Sequence, residues 1–228
     1  SDDAWNVDSF YTEKMCILDA SPEVTLEEVG ELLARLRFTY RFGDSSVEQD
    51  MILYRDSLRI DFDTRVHWEE SHKLLKTAFY TDIRSVKASY DIQFGHAERP
   101  THANTSWERA KFEVCAQKWA DLSEHGYGVS LLNDSKYGYS IRENAMKLSL
   151  LRSPAHPDPA ADRGDHHFVY ALLPHTGDVT EVETIREAAK LNLPALAVKD
   201  RETAAKTKLF SFAGEGVLVD AVKKAEDD

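Results

Sequence analysis

The sequence predicts an all-β domain built as a large antiparallel β-sandwich, and three observations carry that prediction. Over residues 58–66 every even position is apolar or Thr and every odd one is charged, the period-two pattern of a strand with one face in water. Segments of this kind recur along the chain, separated by short polar turns. Long helical patterns are absent between them, which excludes an alternation of strands and helices, and about ten such segments fit two stacked sheets.

The elements follow in order. Leu36, Phe38, Tyr40 and Phe42 alternate with Arg35, Arg37, Thr39 and Arg41 and form the first predicted strand. Gly43-Asp44-Ser45-Ser46 turns the chain into a second strand at 47–54, and residues 54–58 turn it into a third, completing a meander. Further strands are predicted at 73–80, 89–94, 112–119, 127–132, 145–151 and 167–173. The prolines Pro154, Pro157 and Pro159 mark a surface loop. Residues 182–191 read as one short helix closed by Pro194, and 216–222 as an apolar strand. The predicted organisation is a β-domain over 1–178, a linker with a short helix over 179–205, and the truncated start of a following β-sandwich over 206–228. A chain stopping so soon after a core-type strand reads as a piece of a longer one.

The composition removes several function classes. The chain has 228 residues, with 28 Lys+Arg against 40 Asp+Glu and a formal net charge of −12 at pH 7. That length supports a core without disulfide staples. An acidic balance with no run of Lys or Arg excludes a nucleic-acid surface, which needs clustered cations to displace counterions. No stretch approaches the ~18 apolar residues of a membrane span, and Ser1-Asp2-Asp3 begins nothing like a signal peptide. Cys16 and Cys115 form no CxxC pair, which predicts a reduced, cytoplasmic setting. Cys115, within the strand expected at 112–119, is read as a small buried hydrophobe. Asp61, Asp63, Glu69 and Glu70 are expected on solvated strand faces.

Three stretches carry polar residues in numbers that invite a functional reading. His96, Glu98, Arg99, His102 and Asn104 crowd the 95–107 connection between strands, where a rigid sheet displays binding groups, although a well hydrogen-bonded structural loop is the favoured account of them. His156-Pro157-Asp158 and Asp165-His166-His167 pair His with carboxylate as zinc sites do. The first is expected in an exposed loop between prolines, a poor setting for orienting a ligand imidazole, and the second points adjacent histidines to opposite faces of a strand, so no metal ligand is predicted. Asn133-Asp134-Ser135-Lys136-Tyr137-Gly138-Tyr139 joins aromatic rings to polar tips, a combination suited to sugars or to a hairpin turn with aromatic edges. A GxSxG elbow, a phosphate loop and a dinucleotide fingerprint are all missing.

A family resemblance rests on Asp3-Ala4-Trp5-Asn6-Val7-Asp8, Gln93-Phe94-Gly95-His96, Glu98-Arg99-Pro100-Thr101-His102, Asn104-Thr105-Ser106-Trp107, Leu132-Asn133-Asp134 with Lys136-Tyr137-Gly138-Tyr139, and Leu148-Ser149-Leu150-Leu151-Arg152-Ser153-Pro154. These segments, in this order, resemble the C-terminal half of family 38 glycoside hydrolases, the class II α-mannosidases, and most of all their cytosolic and bacterial branch. The resemblance implies a β-supersandwich of the galactose-mutarotase type. It also implies a parent enzyme that is a retaining exo-α-mannosidase, whose zinc ion and two working carboxylates sit upstream of this region; no cofactor is implied within this chain. One carboxylate would attack the anomeric carbon while the other protonates the leaving oxygen, and water would then release the sugar.

In that family a C-terminal β-domain loop reaches the active-site rim. The matching positions here make Asp134, Lys136 and Tyr137 candidate substrate-binding residues, with His96, Glu98, Arg99 and His102 nearby or bracing the interdomain contact. The implied partners are the chain's own N-terminal catalytic domain, α-mannoside oligosaccharides and, since family members form oligomers, further copies of itself. Nucleic acid and membrane are not among them. Two other readings stay open: a free-standing carbohydrate-binding or mutarotase-like module, in which His96 and Glu98 would share a strand face as acid and base, and a structural interaction domain.

Overall fold

The computed structural model describes residues 4–18, 21–177, 179, 183–196, 199, 210–214 and 217–226. Residues 180–182, 197, 198 and 200–205 of the expected linker, and Gly216 of the expected C-terminal strand, lie outside them. The fold is a two-sheet antiparallel β-sandwich. Its strands are β1 (Glu23–Val29), β2 (Leu33–Phe42), β3 (Ser45–Tyr54), β4 (Ile60–Trp68), β5 (Leu74–Tyr80), β6 (Lys87–Ile92), β7 (Gly95–Pro100), β8 (Val114–Cys115), β9 (Trp119–Glu124), β10 (Tyr127–Asn133), β11 (Gly138–Arg142), β12 (Ala145–Arg152) and β13 (Gly164–Thr176). Among the described residues two α-helices, α1 (Ser106–Ala110) and α2 (Glu183–Asn192), and a 3-10 turn at Ser9–Glu13 accompany them. Among the described residues no helix is long and apolar enough to cross a membrane.

A nine-stranded sheet runs β1-β2-β3-β4-β13-β10-β9-β6-β7, and a four-stranded sheet runs β5-β12-β11-β8. The expected meander is β2-β3-β4, in continuous register from Phe42↔Ser45 and Ser46↔His67 onwards. Period two then sorts the side chains. Val66, Trp68, Phe168, Tyr170, Leu131, Leu122 and Tyr90 of the large sheet meet Tyr139, Ile141, Met146, Leu148 and Leu151 of the small one in the main core. The opposite, outer face of the large sheet carries a second cluster of Trp119, Leu132, Ala171, Leu173 and Val179 under Ala188 and Leu191 of α2.

Several local expectations are corrected. The strand read at 112–119 is two pieces, β8 and β9, in different sheets. The chain crosses between them where the Ala116 N–H donates to Tyr137 O at 3.1 Å and the Gln117 N–H to Asp91 O at 3.0 Å. Cys115, at the end of a two-residue strand, is exposed rather than buried. The first six residues of the expected 95–107 connection, Gly95–Pro100, are strand β7, paired with β6 from Ile92↔Gly95 to Lys87↔Pro100. Pro100 fits there because it closes an edge strand, where a missing N–H leaves no ladder partner unsatisfied. After it comes α1, opened by a capping box in which Thr105 and Glu108 satisfy each other's backbone N–H groups. Asp61 is only 4% exposed, not solvated, because Tyr54, Arg59 and α2 close over it. Val217–Val222 forms no strand, since a lone segment finds no partner ladder among the described residues.

Candidate functional site

The 134–137 turn joins β10 to β11, and its geometry is set by the residue just before it. Asn133 is fully buried. Its Nδ2 donates to Gln117 O at 2.7 Å and to Tyr139 OH at 2.6 Å, and its Oδ1 accepts from the Lys136 N–H at 2.8 Å. The last bond is an Asx-type closure that shapes the turn locally. The Asn133 N–H donates to Lys118 O at 3.0 Å, and its carbonyl accepts from Asn192 Nδ2 of α2 at 2.9 Å. Backbone and side chain of one residue therefore tie the turn to both sheets and to the helix.

Within the turn the three candidates differ in what they are free to do. Asp134 is occupied: its Oδ2 accepts from the Val169 N–H at 3.1 Å, its Oδ1 from Ser135 Oγ at 2.8 Å, and its own N–H donates to Val169 O at 3.1 Å. It extends the β13 pairing by one residue and holds the turn down. Lys136 is half-buried with its Nζ 4.5 Å from the centre of the Phe168 ring. Burial lowers the proton affinity of its ammonium, a shift that the Asp162 and Asp134 carboxylates oppose without cancelling. Tyr137 is 53% exposed, its ring open to solvent. The turn thus presents a partly dehydrated cation beside a free aromatic ring on a fixed backbone.

Of the β7 residues, the structure brings only His96 to the same end. Strands β10, β9, β6 and β7 alternate in direction, so the end of β10 and the start of β7 lie together. His96 packs against Trp119 with ring centres 6.4 Å apart. Beside it, Asp91 Oδ2 accepts from the Lys118 N–H at 2.9 Å, and burial raises this carboxyl above the usual range while that N–H opposes the shift. Glu98 sits further along β7 and pairs with Lys87. Arg99 faces the sandwich interior, with its guanidinium 4.6 Å from the Tyr90 ring centre. His102 lies beyond the far end of β7, where its carbonyl accepts from Arg142 Nη1 at 2.8 Å and its Nδ1 stands 3.3 Å from Glu108 Oε2.

Phe168, which floors Lys136, and Asn192, which holds Asn133, were not singled out from sequence; both contacts join residues far apart in the chain. Two grooves, of about 380 and 490 Å³, open elsewhere, and neither is lined by Asp134, Lys136 or Tyr137. The first lies at His67, Asp165 and His167 and the second at Lys87, Glu98 and Asp121.

These are the surroundings against which the kinship of the sequence can be read. Residues 1–160 match the family described as glycosyl hydrolases family 38 C-terminal domain. The chain belongs to that family. It is 42% identical over 228 residues to alpha-mannosidase 2C1 of Homo sapiens, covering 98% of this chain and 22% of that protein. It is 44% identical over 236 residues to alpha-mannosidase G of Dictyostelium discoideum, with 99% and 22% covered. This family 38 domain thus spans about a fifth of the length of the curated relatives it matches. Its fold is similar to the crystal structure of an alpha-mannosidase from Enterococcus faecalis V583, with a TM-score of 0.68 at 15% identity over 76% of this chain and 24% of that one.

Proposed function

We propose that this family 38 domain is the non-catalytic C-terminal part of a zinc-dependent, retaining, cytoplasmic α-mannosidase, and that its 134–137 turn completes the active-site rim. The observation that carries the reading is the pinned turn itself. Asn133 and Asp134 hold the backbone, while Tyr137 stands exposed and Lys136 half-buried over the Phe168 ring. A half-dehydrated ammonium donates strongly to sugar hydroxyls, and an exposed phenol ring covers the apolar face of a pyranose. His96 flanks the turn. Glu98, Arg99 and His102 brace the far end of β7, since each already has a partner or packs inside. The partners are the catalytic remainder of the same polypeptide and terminal α-mannosides of oligosaccharides, with self-association in the assembled enzyme.

The described residues do not fit a zinc centre. Among those described, no group of three or more His, Cys, Asp or Glu could hold a metal ion, and the His67–Asp165 and His167–Asp63 contacts, each 2.7 Å, are separate pairs. The metal, and the two carboxylates that a retaining mechanism places about 5–5.5 Å apart, are assigned to the remainder of the enzyme. A mutarotase-like role is weaker. His96 and Glu98 do share a face of β7, but Glu98 is paired with Lys87 and His96 lies against Trp119.

The test is made in the full-length enzyme with an aryl α-mannoside. Lys136→Ala should lower kcat/KM about tenfold or more, the cost of losing a charge-assisted hydrogen bond, and Tyr137→Ala should raise KM. If kcat and KM were unchanged in both variants, the rim assignment would fail. Hydrolysis by this chain alone would place the reacting groups within it.

A further inference from the structure

Helix α2 begins after residue 160, where the family match ends, yet it is bonded into the large sheet at both of its ends. Near its start, buried Thr184 shares a 2.8 Å hydrogen bond with Ser130 Oγ, and Ser130 donates to Asp121 Oδ2 at 2.7 Å. His175 Nε2 meets the same carboxylate oxygen at 2.7 Å. In its middle, Glu187 pairs with Arg59 at 3.1 Å. At its end, Asn192 Nδ2 divides its two hydrogens between Ala188 O, in its own last turn, and Asn133 O, both at 2.9 Å. Ser130 and Asn133 belong to the same strand, β10, so the helix grips that strand at two points. The second grip is on the residue from which the rim turn departs.

We infer that α2 is a brace for the 134–137 turn and that Asn192 is a positioning residue for sugar binding, an inference that rests on the rim reading above. The Asn133 carbonyl is at the last residue of its strand, where the β10 pairing with β13 ends at Asn133↔Tyr170. Without Asn192, the turn keeps its Asn133–Lys136 closure and the Asp134–Val169 bonds to β13 but loses the contact that fixes it from the helix side. A shift of about 1 Å in a group that meets substrate is enough to cost large factors in rate. Lys136 and Tyr137 would then be present but displaced.

The experiment compares Asn192→Asp, Lys136→Ala and the double variant in the full-length enzyme, again with an aryl α-mannoside. Asn192→Ala takes the place of Asn192→Asp if a carboxylate facing the Asn133 carbonyl prevents folding. Asn192→Asp should lower kcat/KM about three- to tenfold, as loss of one positioning hydrogen bond would. The double variant should fall by clearly less than the product of the two single effects, because displacing the Lys136 ammonium costs nothing once it has been removed. A drop that multiplies with that of Lys136→Ala would mean a merely structural role and overturn the inference, as would wild-type kinetics for Asn192→Asp and Asn192→Ala beside an impaired Lys136→Ala. An unimpaired Lys136→Ala would instead sink the rim reading and the brace together.

Discussion

The two faces of the nine-stranded sheet are buried by opposite means. The inner face is apolar and aromatic: Phe62 stacks on Tyr170 with ring centres 5.1 Å apart, Phe79 meets Tyr170 edge-on, and Trp68 packs edge-on to Phe42 at 5.8 Å. The outer face of the same strands buries Asp50, Asp61, Asp121 and His175 at 4% exposure or less, each in a polar contact. Inner-face stability is proportional to area and indifferent to pH, while outer-face stability depends on geometry and on charge. The largest expected effect therefore sits inside. Trp68→Ala should cost about 3–5 kcal/mol, read from equilibrium unfolding, through the cavity it leaves and the lost Nε1 hydrogen bond to Ser153. That loss should be the same at pH 5 and pH 8; a strong pH dependence would break the contrast between the faces.

Asp50 sets the next scale down. Arg37 grips it with two bonds, Nε to Oδ1 at 2.7 Å and Nη2 to Oδ2 at 2.9 Å, while Arg35 stands 3.5 Å away. The Arg37 hydrogen bonds hold its carboxyl below the usual carboxylate range, outweighing the burial that pushes it up. Because the pKa falls on folding, the stabilisation is present above the unfolded value of about 3.9 and is lost as pH drops through the folded one. Both arginines keep about a third of their side chains in water, so Asp50→Ala should cost about 1–2 kcal/mol at neutral pH, less than a wholly buried pair. Its unfolding free energy should converge on that of the parent in acid. Parallel curves down to pH 3 would show that the charge of the Asp50 carboxylate contributes nothing.

The same contrast explains what was legible in the sequence. Alternation exposed the inner face directly, because Phe62, Thr64 and Val66 recur at every second position and need no knowledge of their partners. The burial of Asp61 was illegible. It depends on Arg59 being capped by Glu187, whose helix was visible as a pattern but not its docking place. Likewise the turn from Asn133 to Gly138 could be found locally, since the Asn133–Lys136 bond spans three residues, whereas the Phe168 floor and the Asn192 brace join distant segments. The expected loop at 95–107 was misread for a related reason. A charged edge strand such as β7 carries the composition of a loop, since only its ladder to β6 makes it a strand.

The smallest expected effect is also the sharpest in pH. Burial alone would lower the proton affinity of His175, but the hydrogen bond and charge of Asp121, with Glu183 of α2 adding to them, leave its pKa raised. Among the described residues, Asp121 and Ser123 of β9, Ser130 of β10 and Glu183 of α2 surround it, and the charges of Asp121 and Glu183 are negative. A pKa raised on folding stabilises fully below the unfolded value of about 6.5, and that contribution fades as pH climbs through the folded value. His175→Gln keeps a donor for Asp121 but cannot take up a proton, so it should cost about 1 kcal/mol at pH 6 and progressively less in mild alkali. The two outer-face pairs thus fail in opposite directions, Asp50 in acid and His175 in alkali. Unfolding curves for His175→Gln and the parent that stayed equally far apart from pH 6 to pH 9 would show that the imidazole is held neutral and acts as a hydrogen-bond donor alone.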